Sequence, residues 1–335
     1  LAGAQSLREI EGGLSSHAHR LYHLGAREVS RSTLADANAK RPHAVFGALF
    51  AHLVRRAGRS LRRKVGEAVH LVDSSGLRLS ELSADWAHFS DGVCGAKLHV
   101  VYDADGGYPL DATITPARVN DITAAQSMPI AAGATYVFDL GYYDYAWWAR
   151  LDAAGCRIVT RLKSNTPVTV VAENSVDGDD PAILSDCIGY LPARLAASRS
   201  NPFRAPVREI RVRIDSGKVL RILSNDLDAP AGEIASLYKR RWQIELFFRW
   251  IKQTLKIKHF LGTSENAVRI QIAIALIAYL LLRLAHAAQH RVDGLLAFTR
   301  LVRSNLMHRR HIDALLEPPL IFQDQRQLSL PILQP

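Results

Sequence analysis

The sequence predicts an α/β protein: a mixed sheet flanked by helices, interrupted by a β-rich insertion and preceded by a helical N-terminal region. Three observations predict it. Between Val65 and Lys163, three apolar runs of strand length come first and then helical and strand patterns alternate, the order of a mixed sheet covered by helices. Residues 164–228 are rich in Val, Ile, Pro, Ser and Gly and hold the alternating run Val207-Arg-Glu-Ile-Arg-Val-Arg-Ile214. Residues 1–64 carry helical spacing instead. The division expected is therefore 1–64 helical N-terminal region, 65–163 first half of the core, 164–228 insertion, 229–305 second half of the core and 306–335 tail.

In the N-terminal region, Ser32-Thr33 ahead of Leu34 reads as a helix cap. A second helix is expected from Ala48 to Lys64, closing on Arg55, Arg56, Arg59, Arg62, Arg63 and Lys64. Those cations suit a phosphate backbone as well as they suit a solvated helix end. In the core, strands are expected at 67–73, 97–103, 109–115, 135–139 and 157–162, with helices at 121–130 and 143–154. The Asp105-Gly106-Gly107 stretch turns the second strand into the third. The run Glu67-Ala-Val-His-Leu-Val-Asp73 before Ser-Ser-Gly delivers Asp73 to the C-terminal lip of a buried strand, and Ala134-Thr-Tyr-Val-Phe-Asp139 before Leu140-Gly141-Tyr142 repeats the pattern. An acid at the mouth of a core strand is costly unless a cation meets it. Asp103, Asp105, Asp121, Asp144 and Asp226 read as turn or cap formers. Arg211 and Arg213 share one face of the 207–214 run, read as a solvated strand, and Arg208 lies on the other.

Tyr238, Arg241, Glu245 and Lys252 carry a different kind of information. At about 100° per residue on one helix, they fall within a stripe about 60° wide, so one carboxylate is flanked by two cations and a phenol. Glu245 alone would equally pair with Arg241 or Arg249 one turn away. With Asp73 and Asp139, however, it makes three carboxylates that two strands and a helix bring to one place. That set suits Mg²⁺, a hard ion that takes a few carboxylates and keeps waters and phosphate oxygens. Trp242 and Phe248, on the same helix, read as core aromatics.

Composition bounds the partner. The chain has 335 residues, 48% hydrophobic and 22% charged, with a net charge of +10 and a pI near 9.7. Because the cations are spread through helices and strands, an anionic partner such as nucleic acid is expected and a membrane surface is not. Cys94, Cys156 and Cys187 are far apart and odd in number, as reduced core thiols in the cytoplasm would be. His70, His99, His259 and His286 read as core or rim residues. The Ile270–Leu282 run is apolar for only 13 residues, too short to cross a bilayer, and is expected to be a buried helix under the site.

These residues resemble the DDE transposases of bacterial insertion sequences, in particular the insertion-sequence-four group. The resemblance is carried by Tyr-x2-Arg-x3-Glu-x6-Lys at Tyr238, Arg241, Glu245 and Lys252, by Asp-x-Gly-Tyr at Asp139 to Tyr142, and by Asp73-Ser-Ser75. It extends through Lys97-Leu-His-Val-Val-Tyr102, Pro109, Asn120-Asp121, Arg161-Leu-Lys163 and Leu237-Tyr-Lys-Arg-Arg-Trp242, and so covers roughly residues 65–285. It implies a ribonuclease-H-like core with Asp73 and Asp139 on neighbouring central strands, and an insertion beside the site. It implies two Mg²⁺ ions, replaceable by Mn²⁺, held by Asp73, Asp139 and Glu245, with cleavage at transposon ends and strand transfer into target DNA. Arg241 and Lys252 would hold phosphates, Tyr238 would hydrogen-bond one, and Arg161 and Lys163 would add DNA contacts. The expected partners are double-stranded DNA with terminal inverted repeats, target DNA and a second copy of the chain, in the bacterial cytoplasm at the nucleoid. Alternatives are a nuclease of the same fold that never joins strands, and a catalytically inactive or domesticated DNA-binding derivative. The start at Leu1 leads the resemblance to place one or more helices upstream.

Overall fold

The computed structural model describes residues 3–61, 68–176, 180–195, 199–306 and Ala314. Arg62, Arg63 and Lys64, the first residue of the strand expected from Glu67, and nearly all of the tail 306–335 lie outside the described residues.

The N-terminal region is helical: α1 (Leu7–Ser16), α2 (Arg31–Lys40) and α3 (His43–Ser60). Ser30, not Ser32 or Thr33, caps α2. Its backbone is extended and its side chain accepts the Thr33 amide, which satisfies a donor the helix start leaves bare. α3 begins five residues earlier than expected because Pro42, at φ −63°, presets the entry into the helix.

Six strands build the core: β1 (Val69–Leu79), β2 (His88–Ser90), β3 (Val93–Asp103), β4 (Tyr108–Pro116), β5 (Thr135–Phe138) and β6 (Arg157–Arg161). β3 runs antiparallel between β4 and β1, and β5 and β6 continue on the far side of β1 in parallel. That order, β4-β3-β1-β5-β6, is the ribonuclease-H-like arrangement. Between these strands lie α4 (Ala84–Ala87), α5 (Asp121–Ser127) and α6 (Tyr145–Ala153).

Asp73 does not end its strand. Parallel pairing with β5 stops at Val72↔Phe138, but β1 goes on pairing with β3 as far as Leu79↔Cys94. The Ser74-Ser75-Gly76 stretch, expected to lie beyond the strand, is pleated strand, because β3 is long enough to keep its backbone groups paired.

The insertion contains β7 (Thr169–Glu173), β8 (Ile183–Tyr190), β9 (Arg194–Leu195), β10 (Arg199–Ser200), β11 (Val207–Arg213) and β12 (Val219–Ser224). β12 pairs antiparallel with β6, and β11, β8 and β7 follow it outward, so insertion and core share one ten-stranded sheet; β9 and β10 form a separate ribbon. The chain then returns over the core in α7 (Ala231–Arg240), α8 (Trp242–Thr254), α9 (Glu265–Ala287) and α10 (Leu295–Ser304).

Alternation along the strands sorts the core into two layers. Leu71, Val137 and Val159 pack with Ile234, Ile244, Phe247, Ile251 and Ile272 of α7, α8 and α9. Val72, Phe138 and Ile158 pack on the opposite face with Met128, Trp147, Trp148 and Leu151 around α5 and α6. α9 corrects the sequence expectation about its length. It has 23 residues, long and apolar enough by length and composition alone to cross a membrane, with half of its most apolar window buried. It packs against α2, α3, α8 and β4, so its apolar faces meet both the N-terminal region and the core.

Candidate active site

Two strands in parallel register set the geometry of the site. Since Val72 pairs with Phe138, the next residues, Asp73 and Asp139, lie abreast as the parallel ladder ends. By alternation each follows the parity of Leu71 and Val137, which places both on the face covered by α7 and α8. Asp139 then caps a short 3₁₀ turn, its Oδ1 accepting the Gly141 amide at 2.8 Å.

Glu245 comes from α8. The four signature residues do not share one uninterrupted helix: α7 ends at Arg240, and Arg241 is a single tight turn before α8, with helical dihedrals of φ −50° and ψ −31°. The Arg241 amide donates to Tyr238 O at 3.1 Å and the Ile244 amide to Arg241 O at 3.2 Å, the three-residue spacing of a tightened turn. Since the dihedrals stay helical, Tyr238, Arg241 and Glu245 keep to one side. Arg241 Nη2 donates to Glu245 Oε1 at 2.6 Å and Nη1 to Asp73 Oδ2 at 3.3 Å. Among the described residues, no three His, Cys, Asp or Glu side chains are drawn together as a ready-made cation cage. Instead a guanidinium stands between Asp73 and Glu245.

Electrostatics mark the same spot. Burial pushes the Asp73 carboxyl up to about 6, and the Asp139 and Glu245 carboxylates push the same way against the Ser74 amide and Arg241. A carboxylate desolvated among other carboxylates calls for positive charge. The donor set, all hard oxygens with a guanidinium as stand-in cation, fits a hard divalent ion.

Tyr238 is buried and its phenol is pushed up by desolvation, opposed by Arg241 and Arg161. Arg161, at the end of β6, thus reaches the signature cluster. Lys163 lies with its Nζ 4.5 Å from the centre of the Tyr143 ring. Lys252 Nζ donates to Gly76 O at 2.8 Å, on the part of β1 that outlasts β5. Phe248 is a core residue as expected, but Trp242 is 52% exposed, because the buried stripe of α8 runs through Ile244, Phe247, Phe248 and Ile251 and leaves Trp242 outside it.

Of the acids read as turn formers, Asp103 accepts the Asp105 and Gly106 amides, Asp144 caps α6 at the Trp147 amide, and Asp226 accepts the Asp228 and Ala229 amides. Asp105 pairs with Arg240 at 2.6 Å. Asp121 departs from that reading. Its Oδ1 accepts from Ser74 Oγ at 2.7 Å and Lys97 Nζ at 3.1 Å, directly behind Asp73. The available signal was the joint presence of Lys97 and Asn120-Asp121 among the resembling segments. In the insertion, Arg208 is buried against Asp186, and Arg211 pairs with Glu209. Cys94 and Cys156 are buried and Cys187 is half-buried.

A family profile described as "Transposase DDE domain" matches residues 65–281, and one for a domain of unknown function, DUF4372, matches residues 1–27. The chain is 41% identical over 297 residues to "Putative transposase y4zB" of Sinorhizobium fredii, a match covering 88% of this chain and 82% of that protein. It is 27% identical over 276 residues to "Probable transposase for insertion sequence element IS5377" of Geobacillus stearothermophilus, covering 81% of this chain and 72% of that one. A shorter match, 38% over 72 residues, covers 20% of this chain and 16% of "Transposase InsG for insertion sequence element IS4" of Escherichia coli.

Proposed function

Because the chain belongs to the transposase DDE domain family, we propose that this DNA transposase uses Asp73, Asp139 and Glu245 to hold two Mg²⁺ ions, replaceable by Mn²⁺. In this role it cuts DNA at terminal inverted repeats and joins the freed end to target DNA. One observation carries the reading: the in-step parallel register that sets Asp73 beside Asp139 on the face where α8 presents Glu245. When bound, the ions would activate the attacking oxygen and stabilise the departing one in an in-line displacement at phosphorus.

The protein's own groups position the DNA. Arg241, one guanidinium bonded to two of the three acids, is free to exchange one carboxylate for a phosphate oxygen, a bidentate partner of equal charge. Lys252 holds a second phosphate, Tyr238 donates to a nearby phosphate oxygen, and Arg161 supports that phenol. Lys163 adds a contact at the edge of the site. Residues 1–64 serve as a DNA-binding region, residues 65–163 and 229–305 as the two halves of the catalytic core, and the insertion 164–228 flanks the cut end. Two ends cut in concert imply a homodimer in the working complex, acting at the bacterial nucleoid.

The test is incubation of purified protein with DNA bearing the flanking inverted repeats, with and without Mg²⁺. Nicked, hairpinned or joined product is expected with wild type, and none with Asp73→Asn, Asp139→Asn or Glu245→Gln, each still binding the DNA. Cleavage without joining would make the protein a nuclease, and binding alone an inactive derivative. Cleavage that survives all three substitutions would overturn the site.

A further inference from the structure

Behind Asp73, on the face of the sheet away from Glu245, a fourth acid is tied into the site. Ser74 follows the parity of Val72, and Lys97 and His99 of β3 follow that of Val101, so all three point to the layer that holds α5. Asp121, the first residue of α5, meets them there. Its Oδ1 accepts from Ser74 Oγ at 2.7 Å and from Lys97 Nζ at 3.1 Å, and stands 3.7 Å from His99 Nδ1. Burial pushes the fully buried His99 down to about 4 despite Asp121, which leaves Lys97 as the charge that balances Asp121. Lys97 also donates to Val119 O at 3.0 Å, so the pair fastens the entry of α5 to the sheet.

Two links lead from Asp121 to the acids on the other face. Ser74, held through its hydroxyl, donates its amide to Asp73 Oδ1 at 2.7 Å. On the second side, a methyl placed on Gly141 would stand 3.0 Å from Asp139 Oδ1 and 3.3 Å from Asp121 Oδ2, so both carboxylates reach the same glycine. The Tyr142 phenol, 1% exposed, lies among Asp73, Asp121 and Asp139. A structural role alone, an acid in the first turn of α5 paired with Lys97, accounts for neither link.

We propose that Asp121 is a positioning residue: through Ser74 it orients the Asp73 carboxylate, and across Gly141 it sets the turn that carries Asp139. The inference rests on the assignment of Asp73 and Asp139 as metal ligands made above. Partners of this kind govern ligand orientation, and their loss costs about 10–100-fold in metal affinity or activity.

The test compares wild type, Asp121→Asn, Ser74→Ala and Asp73→Asn in two readouts, Mn²⁺ binding to DNA-free protein by electron paramagnetic resonance and cleavage of inverted-repeat DNA as a function of Mg²⁺. Asp121→Asn and Ser74→Ala should weaken Mn²⁺ binding by about tenfold. Both should raise the Mg²⁺ needed for half-maximal cleavage in step, with the rate recovering at high Mg²⁺. Asp73→Asn should not recover at any concentration. Ser74→Ala leaves the Lys97–Asp121 pair intact, so it decides the matter if Asp121→Asn fails to fold. Wild-type metal dependence in both variants overturns the inference while leaving the three-acid site standing. A loss as complete and unrecoverable as that of Asp73→Asn also overturns it, since Asp121 would then be a ligand itself. An active Asp73→Asn removes the site and this inference together.

Discussion

Asp73 is held in a state that destabilises the protein carrying it. Its carboxyl titrates near 6 in the folded chain, against about 4 when unfolded, so the fold binds the extra proton between those values. Stability contributed by the neutral form is therefore present below about pH 4 and is lost as pH rises through about 6. Asp73→Asn keeps the neutral form at every pH. Relative to wild type in metal-free buffer, the variant should be equally stable near pH 4 and should gain up to about 3 kcal/mol above pH 6, read from urea midpoints at a series of pH values. A gain that is the same at pH 4 and pH 8 would show that desolvation of Asp73 is not its source. The variant expected to stop cleavage should thus be the steadier fold, the usual relation between a strained charge and function.

At the scale of elements, the insertion is anchored by ionic pairs that its strand pattern alone does not reveal. Arg208 donates to both oxygens of Asp186, at 2.8 and 2.6 Å, and to Leu227 O and Ala229 O, which ties β11 and β8 to the approach into α7. With both partners almost fully buried, Asp186→Ala should cost about 3–5 kcal/mol, because the guanidinium stays behind unpaired. Thermal denaturation measures that cost, and wild-type stability would refute it. The strand content of 164–228 was legible because Val207–Arg213 alternates, yet Arg208 and Glu209 are both buried and only their acidic or basic partners on other strands make that tolerable. Partners distant along the chain leave no periodic trace. Local dihedrals were equally hidden. The spacing of Tyr238, Arg241, Glu245 and Lys252 was visible, but the tight turn at Arg241 was not. Asp73 and Asp139 stood out through the apolar runs before them, but only the unequal lengths of β3 and β5 decide that β1 runs on past Asp73.

For the whole molecule, charge and sheet continuity matter most. A net charge of +10 predicts DNA affinity that falls steeply with salt. Lys252→Ala should weaken binding to inverted-repeat DNA and lower the log-log salt slope by about one, measured by fluorescence anisotropy at several KCl concentrations. An unchanged slope would place Lys252 away from the phosphates. The order of core strands was readable in outline from the succession of apolar runs. That the insertion extends the same sheet was not, since β12 reaches β6 across some sixty intervening positions. This continuity reaches beyond the catalytic chemistry. Arg221 of β12 donates to the carbonyls of Lys163, Ser164 and Thr166, so the bridge between the two halves is bolted at the seam as well as laddered along it. Excising 164–228 to obtain a minimal enzyme would strip β6 of its outer neighbour and lay a row of backbone donors and acceptors open to any passing strand, turning a trimmed catalyst into a seed for aggregation.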